Sequence, residues 1–408
     1  LVSKGFQHRF WQAVKDGADE AGEEYNYKIQ FVGPDDETKV TQQLDQLKSA
    51  VDAQPIAIGL AALDTDAAEP VLQQIEELRP DVIHVHGFGP VGVFGSWAAK
   101  RTGIPMMLTW HTDFDAYADH YAAIIPLIAP VVKMFIGLSH GDLVDSAQLK
   151  QAEERFVERG KSTASLLGLA EQMFEIAELV TSPSQKTAAR CHELKPDANV
   201  LVVPNGVDPL PPGPPPLPRE DGPLILYAGR IAPEKGIPLL IDAFMLLTTH
   251  RPDARLMVVG DWERYPRIKR VLAAAAATGK VILPGEQKRD DLGAFYEMAD
   301  VFAFPSQTDT QALVLHEAAL AGLPIVSVDP GLQLVLQPGV NGELARPTPA
   351  SLAAALLRVI GRLDDPVWCA QAAATSRRLG GQWSIASQAE EMLQLYADAA
   401  AGRFTPAL

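Results

Sequence analysis

The sequence has little cysteine, no excess of positive charge and no long apolar run, and each shortage excludes a class of protein. Two cysteines, Cys191 and Cys369, occur among 408 residues, in neither a CxxC pair nor a histidine-paired spacing. We therefore expect reduced, buried thiols that bind no metal. The stretch 122–138 is interrupted by two prolines and a lysine, so no run reaches the roughly 20 apolar residues of a membrane-spanning helix.

The charge balance is acidic, with a formal net charge of −16. It argues against a nucleic-acid partner, because the phosphate backbone attracts basic surfaces. No charged-then-apolar leader opens the sequence, so we expect a cytoplasmic protein without an export signal. The length predicts two domains.

Apolar segments alternate between strand and helix periodicity along most of the chain, which predicts parallel sheets covered by helices. The predicted strands are 28–32, 56–60, 81–86, 105–110, 179–181, 199–203, 224–228, 255–259, 281–283, 301–304 and 325–328. The pattern therefore indicates an α/β protein with two Rossmann-like, doubly wound parallel-sheet domains that face a central cleft. Ligands of such sheets bind at the carboxyl ends of the strands.

The segment 205–223 contains eight prolines, which fit neither a helix interior nor a central strand. We interpret it as an extended linker between an N-terminal domain, residues 1–204, and a C-terminal domain, residues 224–382. The tail 383–402 predicts an amphipathic helix that returns to the first domain. Its predicted apolar face consists of Ile385, Ala389, Met392, Leu393 and Tyr396.

The stretch YAGRIAPEKG places Arg230 and Lys235 in one loop directly after a predicted strand, behind Gly229. A guanidinium fork and an ammonium charge in such a loop suit a diphosphate. The alternative is a solvated basic pair beside Glu234, which would be favoured if the loop stood alone.

The stretch FPSQTDTQALVLHEAALAGLP leads into a second candidate element, a helix whose first amides lie near Gln311, Ala312 and Leu313. Such amides form an anion site. Asp309 either caps this helix or faces a ligand. Glu317 lies inside the apolar helix, where an ionised residue requires a partner, and a pair of sugar hydroxyls would provide one.

From about residue 80 to the end, the sequence resembles the retaining nucleotide-sugar glycosyltransferases of family 4, which have the GT-B fold. The resemblance rests on the joint order of several stretches over roughly 320 residues. They are RPDVIHVH, TWHTDFDAY, VVPNGVD, YAGRIAPEKG, RLMVVGD, LPGEQKRDDLGAFYEMADVFAFPS and DTQALVLHEAALAGLPIV, followed by the tail helix.

The resemblance implies a role for each matching residue. Arg230 and Lys235 match the pair that neutralises the departing nucleoside diphosphate. Asp309 and Glu317 fall on the two acids of the family's E-x7-E pattern, directed to the donor sugar and the ribose, with Asp in place of the first Glu. Ala312 stands where the family commonly has glycine. Donor-site residues are also expected at Gly229, Gln311 and Leu313, with a UDP- or GDP-linked sugar as substrate and with no metal and no cofactor.

On the acceptor side, His111 matches a histidine that the family often has at its catalytic centre; the alternative is a strand-end histidine bonded to a backbone carbonyl. Asp113, Asp115, Tyr117 and His120 either line the acceptor pocket or occupy an ordinary loop. His84 and His86 share one face of a strand. With no third partner nearby in the sequence, we interpret this pair as structural.

The first 75 residues do not match that family and instead resemble the first lobe of a periplasmic sugar-binding protein of the ribose-binding type. The resemblance implies that Phe10 and Trp11 stack on a sugar ring and that Asp64 accepts from its hydroxyls; ordinary packing and an N-cap are the alternatives. Both families share a strand-helix layout here, so we suspect a chimera, natural or engineered, joined near residues 71–79.

Three functional hypotheses follow. The first is a transferase that moves a hexose from a nucleoside-diphosphate sugar to a sugar or lipid hydroxyl. The second is a recombined protein that keeps the GT-B fold and donor binding but little catalysis, and the third is a sugar-binding module. The apolar segment with Met134 and Phe135 is either a peripheral membrane contact or a core helix. Because it lacks the basic face of a membrane-surface helix, the sequence favours a core helix.

Overall fold

The structure is a computed structural model. It describes residues 1–4, 9–36, 38–61, 68–88, 90–111, 150–151, 154–332 and 334–404. Several residues singled out from the sequence lie outside these ranges, namely Asp64, Asp113, Asp115, Tyr117, His120, Met134 and Phe135.

Two parallel sheets organise the described chain, as the alternating pattern predicts. The first sheet contains β1 (Ile83–His86), β2 (Met106–Thr109), β3 (Leu179–Ser182) and β4 (Val200–Val202), in that spatial order. The second contains β5 (Leu224–Ala228), β6 (Arg255–Val259), β7 (Val281–Gly285), β8 (Val301–Phe304), β9 (Ile325–Ser327) and β10 (Gly342–Leu344), in the order β10-β9-β8-β5-β6-β7. In the described residues, neighbouring strands of both sheets run parallel.

Helices connect the strands and cover the sheets. The α-helices are Arg9–Glu24, Val40–Asp52, Ala68–Leu78, Pro90–Thr102, Lys161–Ile176, Gln185–Leu194, Ile237–Thr248, Pro266–Ala276, Arg289–Met298, Leu313–Ala321, Pro349–Ile360, Pro366–Gly380 and Ile385–Ala400. Short 3-10 turns lie at Val157–Arg159 and Pro233–Lys235. Every residue of β5, β6 and β8 is buried, which is typical of central strands covered by helices on both faces.

Two strand predictions in the first 75 residues are wrong. Neither 28–32 nor 56–60 forms a strand; each contributes one bridge, through Val32 and Leu60, to the same residue, Val2. Ile56 is 91% exposed, so this apolar stretch is not a strand buried on both faces. The structure also adds β10, a short strand, GEL, whose composition carries no apolar run.

The proline-rich segment 205–223 contains no helix or strand, as predicted. It is nevertheless packed. A Cβ added to Gly206 would come within 2.3 Å of the Ser384 carbonyl oxygen, and one added to Gly293 within 2.0 Å of the Pro211 carbonyl oxygen. The segment therefore has a fixed path along the molecule. The predicted domain limits, 1–204 and 224–382, stay a prediction.

The tail helix Ile385–Ala400 lies against the first sheet. Its buried residues are Leu395 and Ala399, and Met392 and Tyr396 pack against the same cluster as Met107 and Leu179. The predicted apolar face was partly wrong, because Ile385 and Leu393 are 48% and 66% exposed. The face that packs is therefore rotated toward positions 392, 395, 396 and 399.

Within the described residues, no helix combines the length and the apolar composition that crossing a membrane requires. Cys191 is buried and Cys369 is half-buried, and the two form no disulfide with each other. Burial, with nearby carboxylates adding to it, raises the pKa of the Cys369 thiol.

Candidate functional site

The loop after β5 folds tightly against the loop after β8. Gly229 and Gly236 have φ values of +140° and +68°, in the region that favours glycine. A Cβ at Gly236 would lie 2.3 Å from the Pro305 carbonyl oxygen, so only glycine permits this approach. The result is that Lys235, between the two glycines, is brought to the carboxyl edge of the second sheet beside the β8 loop.

Lys235 makes a part-buried ion pair with Asp309. Its Nζ lies 2.5 Å from Asp309 Oδ1, and the lysine is only 8% exposed. The other carboxylate oxygen, Oδ2, accepts a hydrogen bond of 2.5 Å from Ser306 Oγ. The alternative that Asp309 caps the following helix is therefore wrong, since the N-cap is Ala312 and no side chain caps the helix.

Arg230 pairs with Glu234 in the same loop. Its NH2 atom lies 2.6 Å from Glu234 Oε1, with the arginine side chain 51% exposed and the glutamate side chain buried. The two cations of this loop thus differ: one is buried and paired across to the β8 loop, and the other stays at the surface. The solvated-pair interpretation fits neither Lys235 nor Glu234.

Glu317 is buried inside the helix Leu313–Ala321, and the protein itself provides its partners. Oε2 accepts a hydrogen bond of 2.8 Å from the Tyr296 hydroxyl, and Oε1 lies 3.2 Å from Arg289 NH1. The partner that a buried carboxylate requires is thus present within the protein, and a contact with sugar hydroxyls stays a prediction. The arginine is 59% exposed, so its other guanidinium face is open to the surface.

Sequence reasoning missed Arg289 and Tyr296, although a signal existed. They lie seven residues apart in the helix Arg289–Met298, and residues at this spacing share a helix face. Burial and the neighbouring Glu317 charge raise the pKa of the Tyr296 hydroxyl, so it stays protonated and donates to the carboxylate.

Tyr296→Phe is expected to lower the free energy of unfolding by about 1.5 to 3 kcal/mol, the range of hydrogen bonds to a charged group. The reason is that the buried carboxylate of Glu317 loses one of its two partners. Urea unfolding measures the loss. The control is Tyr265→Phe, at a partly buried tyrosine that precedes the helix Pro266–Ala276; equal losses in both variants would contradict the assignment.

The two sides of this edge meet closely enough for one ligand to touch both. A Cβ at Gly229 would lie 3.5 Å from Val314 Cγ1 in the first turn of the helix Leu313–Ala321. The Tyr227 hydroxyl, on β5, donates a hydrogen bond of 2.9 Å to the Arg230 carbonyl oxygen in the same region. The loop cations and the helix start therefore share one small region of the surface.

Ala312, the N-cap of that helix, adopts a left-handed conformation with φ +61°. A non-glycine residue in this region costs roughly 1–2 kcal/mol. The backbone at this point therefore has the conformation that glycine suits, which matches the expectation that glycine commonly stands here. By helix geometry, the first N–H groups beyond it have no partner within the helix.

A second polar cluster lies at the carboxyl edge of the first sheet. His86 Nδ1 is 3.0 Å from His111 Nε2, and the His84 and His86 rings are 4.0 Å apart. The interpretation of His84 and His86 as a pair without a third partner is wrong. His86 lies opposite Thr109 in the adjacent strand, so two further residues bring His111 to the same edge.

His84 is held between the tail helix and β2. Its Nδ1 is 2.7 Å from the Tyr396 hydroxyl and its Nε2 is 2.7 Å from Thr109 Oγ1. Burial lowers the pKa of His84 to about 3, with nearby His86 and His111 adding to the shift. Burial lowers the pKa of His111 to about 4, and the nearby His86 adds to this shift. Both imidazoles are therefore neutral near pH 7.

These histidines line a cavity of about 110 Å³. The other lining residues are neutral and are contributed by strand ends, the segment after β4 and the tail helix: Thr109, Thr181, Val203, Asn205, Gln388, Met392 and Tyr396. A neutral pocket with several hydroxyl, amide and imidazole groups is suited to hydrogen bonding with an uncharged, hydroxylated ligand.

The neutral histidines predict acid sensitivity. Below pH 6.5 the unfolded chain protonates His84 whereas the folded chain does so only near pH 3, so stability falls as pH falls through this window. The loss is up to about 1.4 kcal/mol per pH unit. His86 and His111 are more open to solvent, so His84 dominates.

Unfolding free energies measured from pH 7 to pH 4.5 test this expectation. His84→Gln keeps a side chain that hydrogen-bonds Tyr396 or Thr109 but binds no proton, and its profile should be flatter than that of the unaltered chain. Parallel profiles would contradict a neutral buried His84.

The two edges are joined by hydrogen bonds across the cleft. Thr310 Oγ1 donates to the His111 carbonyl oxygen at 3.1 Å. Gln311 is buried, and its side chain accepts from Asn205 N and Nδ2 at 2.7 and 2.8 Å. Gln311 thus connects the loop after β8 to the segment that follows β4. The segment 309–311 therefore contacts Lys235 through Asp309, the His111 carbonyl oxygen through Thr310 and Asn205 through Gln311.

Comparison with known proteins identifies the two sheets. The family described as Glycosyltransferase Family 4 matches residues 55–209, and the one described as Glycosyl transferases group 1 matches residues 214–373. A third family, described as Periplasmic binding protein domain, matches residues 1–78 and overlaps the first.

Two curated proteins and one solved structure illustrate the similarity. A D-inositol 3-phosphate glycosyltransferase of Xylanimonas cellulosilytica is 30% identical over 344 residues, which are 78% of this chain and 72% of that protein. An Alpha-monoglucosyldiacylglycerol synthase of Acholeplasma laidlawii is 25% identical over 281 residues, 66% of this chain. The crystal structure of Anabaena HepE in complex with UDP superposes with a TM-score of 0.61 at 16% identity, covering 98% of both chains.

The solved structures share the fold, two parallel-sheet α/β domains of the GT-B type, which confirms the fold class. The chain spans 64% of the length of the Acholeplasma laidlawii relative and about half, 45% and 48%, of two other curated relatives.

Proposed function

This chain belongs to the GT-B glycosyltransferases of family 4 and group 1, and on that premise we propose that it moves a hexose from a UDP- or GDP-linked donor to a hydroxyl acceptor. The proposal includes retention of the anomeric configuration and independence of a metal ion. The observation that carries it is the part-buried Lys235–Asp309 pair at the carboxyl edge of the second sheet, with Arg230 and the helix start beside it.

Lys235 and Arg230 supply the positive charge that a leaving diphosphate needs. In the proposed reaction the bond from the sugar's anomeric carbon to the diphosphate oxygen breaks, and its electron pair goes to the diphosphate. Lys235 exchanges Asp309 for a phosphate oxygen, and the first amides of the helix Leu313–Ala321 stabilise the same charge. Asp309, released from the lysine, is then available to the donor sugar's hydroxyls.

Glu317 is proposed to accept from the ribose of the donor. A carboxylate held by Tyr296 and Arg289 has a fixed orientation, and each oxygen retains lone pairs for a further donor. The exposed guanidinium of Arg289 beside it extends this part of the site toward the surface. Gly229 has no Cβ to fill the space between this loop and Val314, and the nucleotide can therefore approach the backbone closely.

The acceptor is proposed to bind on the His111 side, next to the neutral histidine-lined cavity. The acceptor oxygen bonds to the anomeric carbon on the face from which the diphosphate departs, and its proton passes to the departing phosphate oxygen. This same-face course corresponds to retention. The names of the relatives indicate an inositol phosphate and a lipid as acceptors of those proteins, so a hydroxylated small molecule or a glycolipid is proposed here, the latter with a peripheral membrane contact.

A second candidate is a recombined protein that binds donor and transfers little. The match of residues 1–78 to a periplasmic binding protein domain favours it, together with the two isolated bridges that replace regular strands there. Phe10, expected to stack on a sugar, is 57% exposed and contacts Trp11 edge-on. A sugar-binding module on its own has no further support.

Incubation with UDP- and GDP-hexoses and a panel of polyol, sugar and glycolipid acceptors tests the proposal. Mass spectrometry should detect an acceptor heavier by one hexose, and proton NMR should give the donor's anomeric configuration. Nucleotide binding without product in any combination would favour the recombined protein, and activity that a chelator abolishes would contradict metal independence.

A further inference from the structure

The loop 305–311, which carries Asp309, is held by the first sheet's side of the cleft as well as by Lys235. The Thr310 carbonyl oxygen accepts from Thr187 Oγ1 at 3.2 Å and also from Ser184 Oγ. Ser184 is the N-cap of the helix Gln185–Leu194, directly after β3. The loop that belongs to the second sheet is therefore fixed by the end of a strand in the first.

Lys186 makes the most extensive of these contacts. Its Nζ donates to the carbonyl oxygens of Gln307 at 2.6 Å and Asp309 at 3.1 Å, and it lies 2.6 Å from Asp329 Oδ2. An ammonium group has three donors, and three acceptors on the other side of the cleft receive them. The lysine is thereby saturated by one loop and one carboxylate of the second sheet.

Asp329 is itself fixed for this contact. It follows β9, is 3% exposed, and its Oδ1 accepts from Gly331 N at 2.8 Å. A Cβ at Gly331 would lie within 2.8 to 3.1 Å of the aliphatic carbons of Lys186, so the loop fits closely around the lysine stem. Because the carboxylate is buried, its charge requires this partner.

We propose that Lys186 is a positioning residue for the transfer reaction: it ties the loop of Asp309 to the first sheet's side and so couples closure of the cleft to the geometry of the donor site. The inference rests on the function proposed above. Asp309 lies between two lysines, with its carboxylate on Lys235 and its carbonyl on Lys186.

The coupling works in both directions. When a diphosphate takes Lys235 from Asp309, the contact of Lys186 with the main chain keeps the loop in place, and the freed carboxylate stays aimed into the cleft. Conversely, loss of Lys186 removes its contacts with the loop and leaves, among the described residues, those of Thr310 and Gln311 to hold it to the first sheet's side, so the cleft opens and the donor site loosens. Linkage requires that what closes the cleft also strengthens donor binding.

The experiment measures the distance between the two sides of the cleft directly. Spin labels are placed on cysteines introduced at Lys48, exposed on the helix Val40–Asp52, and at Val367, 75% exposed on the helix Pro366–Gly380, in a Cys369→Ser background. The distance distribution is recorded without nucleotide for the unaltered sequence and for Lys186→Met, which keeps the stem and removes the charge. UDP and GDP affinities are measured on the same proteins.

Lys195→Met is the matched control. Lys195 caps the other end of the same helix and also binds two carboxylates, Glu175 and Asp197, but both belong to its own side of the cleft. Asp329→Asn provides a second way to remove the contact if Lys186→Met does not fold.

The expected result is a longer or broader distance distribution and about tenfold weaker nucleotide binding in Lys186→Met and in Asp329→Asn, with Lys195→Met like the unaltered chain. Unchanged distances and affinities in both variants would overturn the proposal, and so would equal effects of Lys195→Met. If the proposed function itself is wrong, the unaltered chain binds neither UDP nor GDP. That result would overturn the donor-site part of the inference as well.

Discussion

Replacing Lys235 by methionine is expected to lower kcat/KM for hexose transfer by about 10²- to 10³-fold, the range seen when one preorganised charge-stabilising donor is removed. Methionine keeps most of the aliphatic stem and removes the charge that the departing diphosphate would meet. Because Lys235 is buried and its Nζ is 2.5 Å from Asp309 Oδ1, the variant also removes the positive partner of that carboxylate and leaves its hydrogen bond from Ser306.

The loss should appear in nucleotide binding as well as in turnover, since both donor and product carry the diphosphate. Lys269→Met is the control. Lys269 belongs to the same domain, lies on the helix Pro266–Ala276 after β6 and pairs with the carboxylate of Glu263. Steady-state kinetics of both variants measure the effect, and transfer that survives in Lys235→Met at the rate of the control would contradict the assigned role.

Glu317→Gln is expected to weaken donor binding by roughly ten- to a hundredfold, the value of a hydrogen bond to a charged group. The physical reason is that glutamine accepts from the ribose without a negative charge. The free energy of unfolding should change by less than about 1 kcal/mol, because the Tyr296 hydroxyl donates to the new carbonyl oxygen and the exposed Arg289 is solvated.

Glu343→Gln is the matched control for this change, because Glu343 also pairs with an exposed arginine, Arg358, but lies on β10 at the sheet edge. Calorimetric titration of the donor nucleotide and urea unfolding of both variants separate binding from stability. Equal donor affinity in Glu317→Gln and Glu343→Gln would show that the buried carboxylate does not contact the nucleotide.

Much of the fold follows from the sequence because strand ends and helix starts carry strong local signals. The central strands β5, β6 and β8 are short apolar runs bounded by turn residues, and they are buried as the pattern predicts. The strands expected at 28–32 and 56–60 fail because their apolar residues find one partner residue, Val2, instead of a continuous neighbour. A local pattern does not reveal whether a neighbouring strand is present.

The candidate site was predictable where it depends on one loop and hidden where it depends on contacts between distant segments. Arg230, Lys235, Asp309 and Glu317 were identified from spacing and resemblance, and their roles stay a proposal. The pairing of Lys235 with Asp309, 74 residues apart, and that of Lys186 with Asp329, 143 residues apart, arise only when strand ends meet. No local signal in the sequence indicates such partners.

The histidine cluster illustrates the same limit. The spacing of His84 and His86 predicts that they share one face of a strand. His111 becomes their neighbour only through the parallel register of β1 and β2. Tyr396, which completes the contacts of His84, comes from the tail helix, 312 residues away.

The central claim is that the loop after β5 and the helix start after β8 bind one nucleoside diphosphate, and calorimetric titration of UDP and GDP into the unaltered chain tests it most directly. The account predicts saturable, one-to-one binding of at least one of the two, weakened about a hundredfold or more in Lys235→Met and unchanged in Lys269→Met. Absence of binding by the unaltered chain, or equal affinity in Lys235→Met and Lys269→Met, would contradict it.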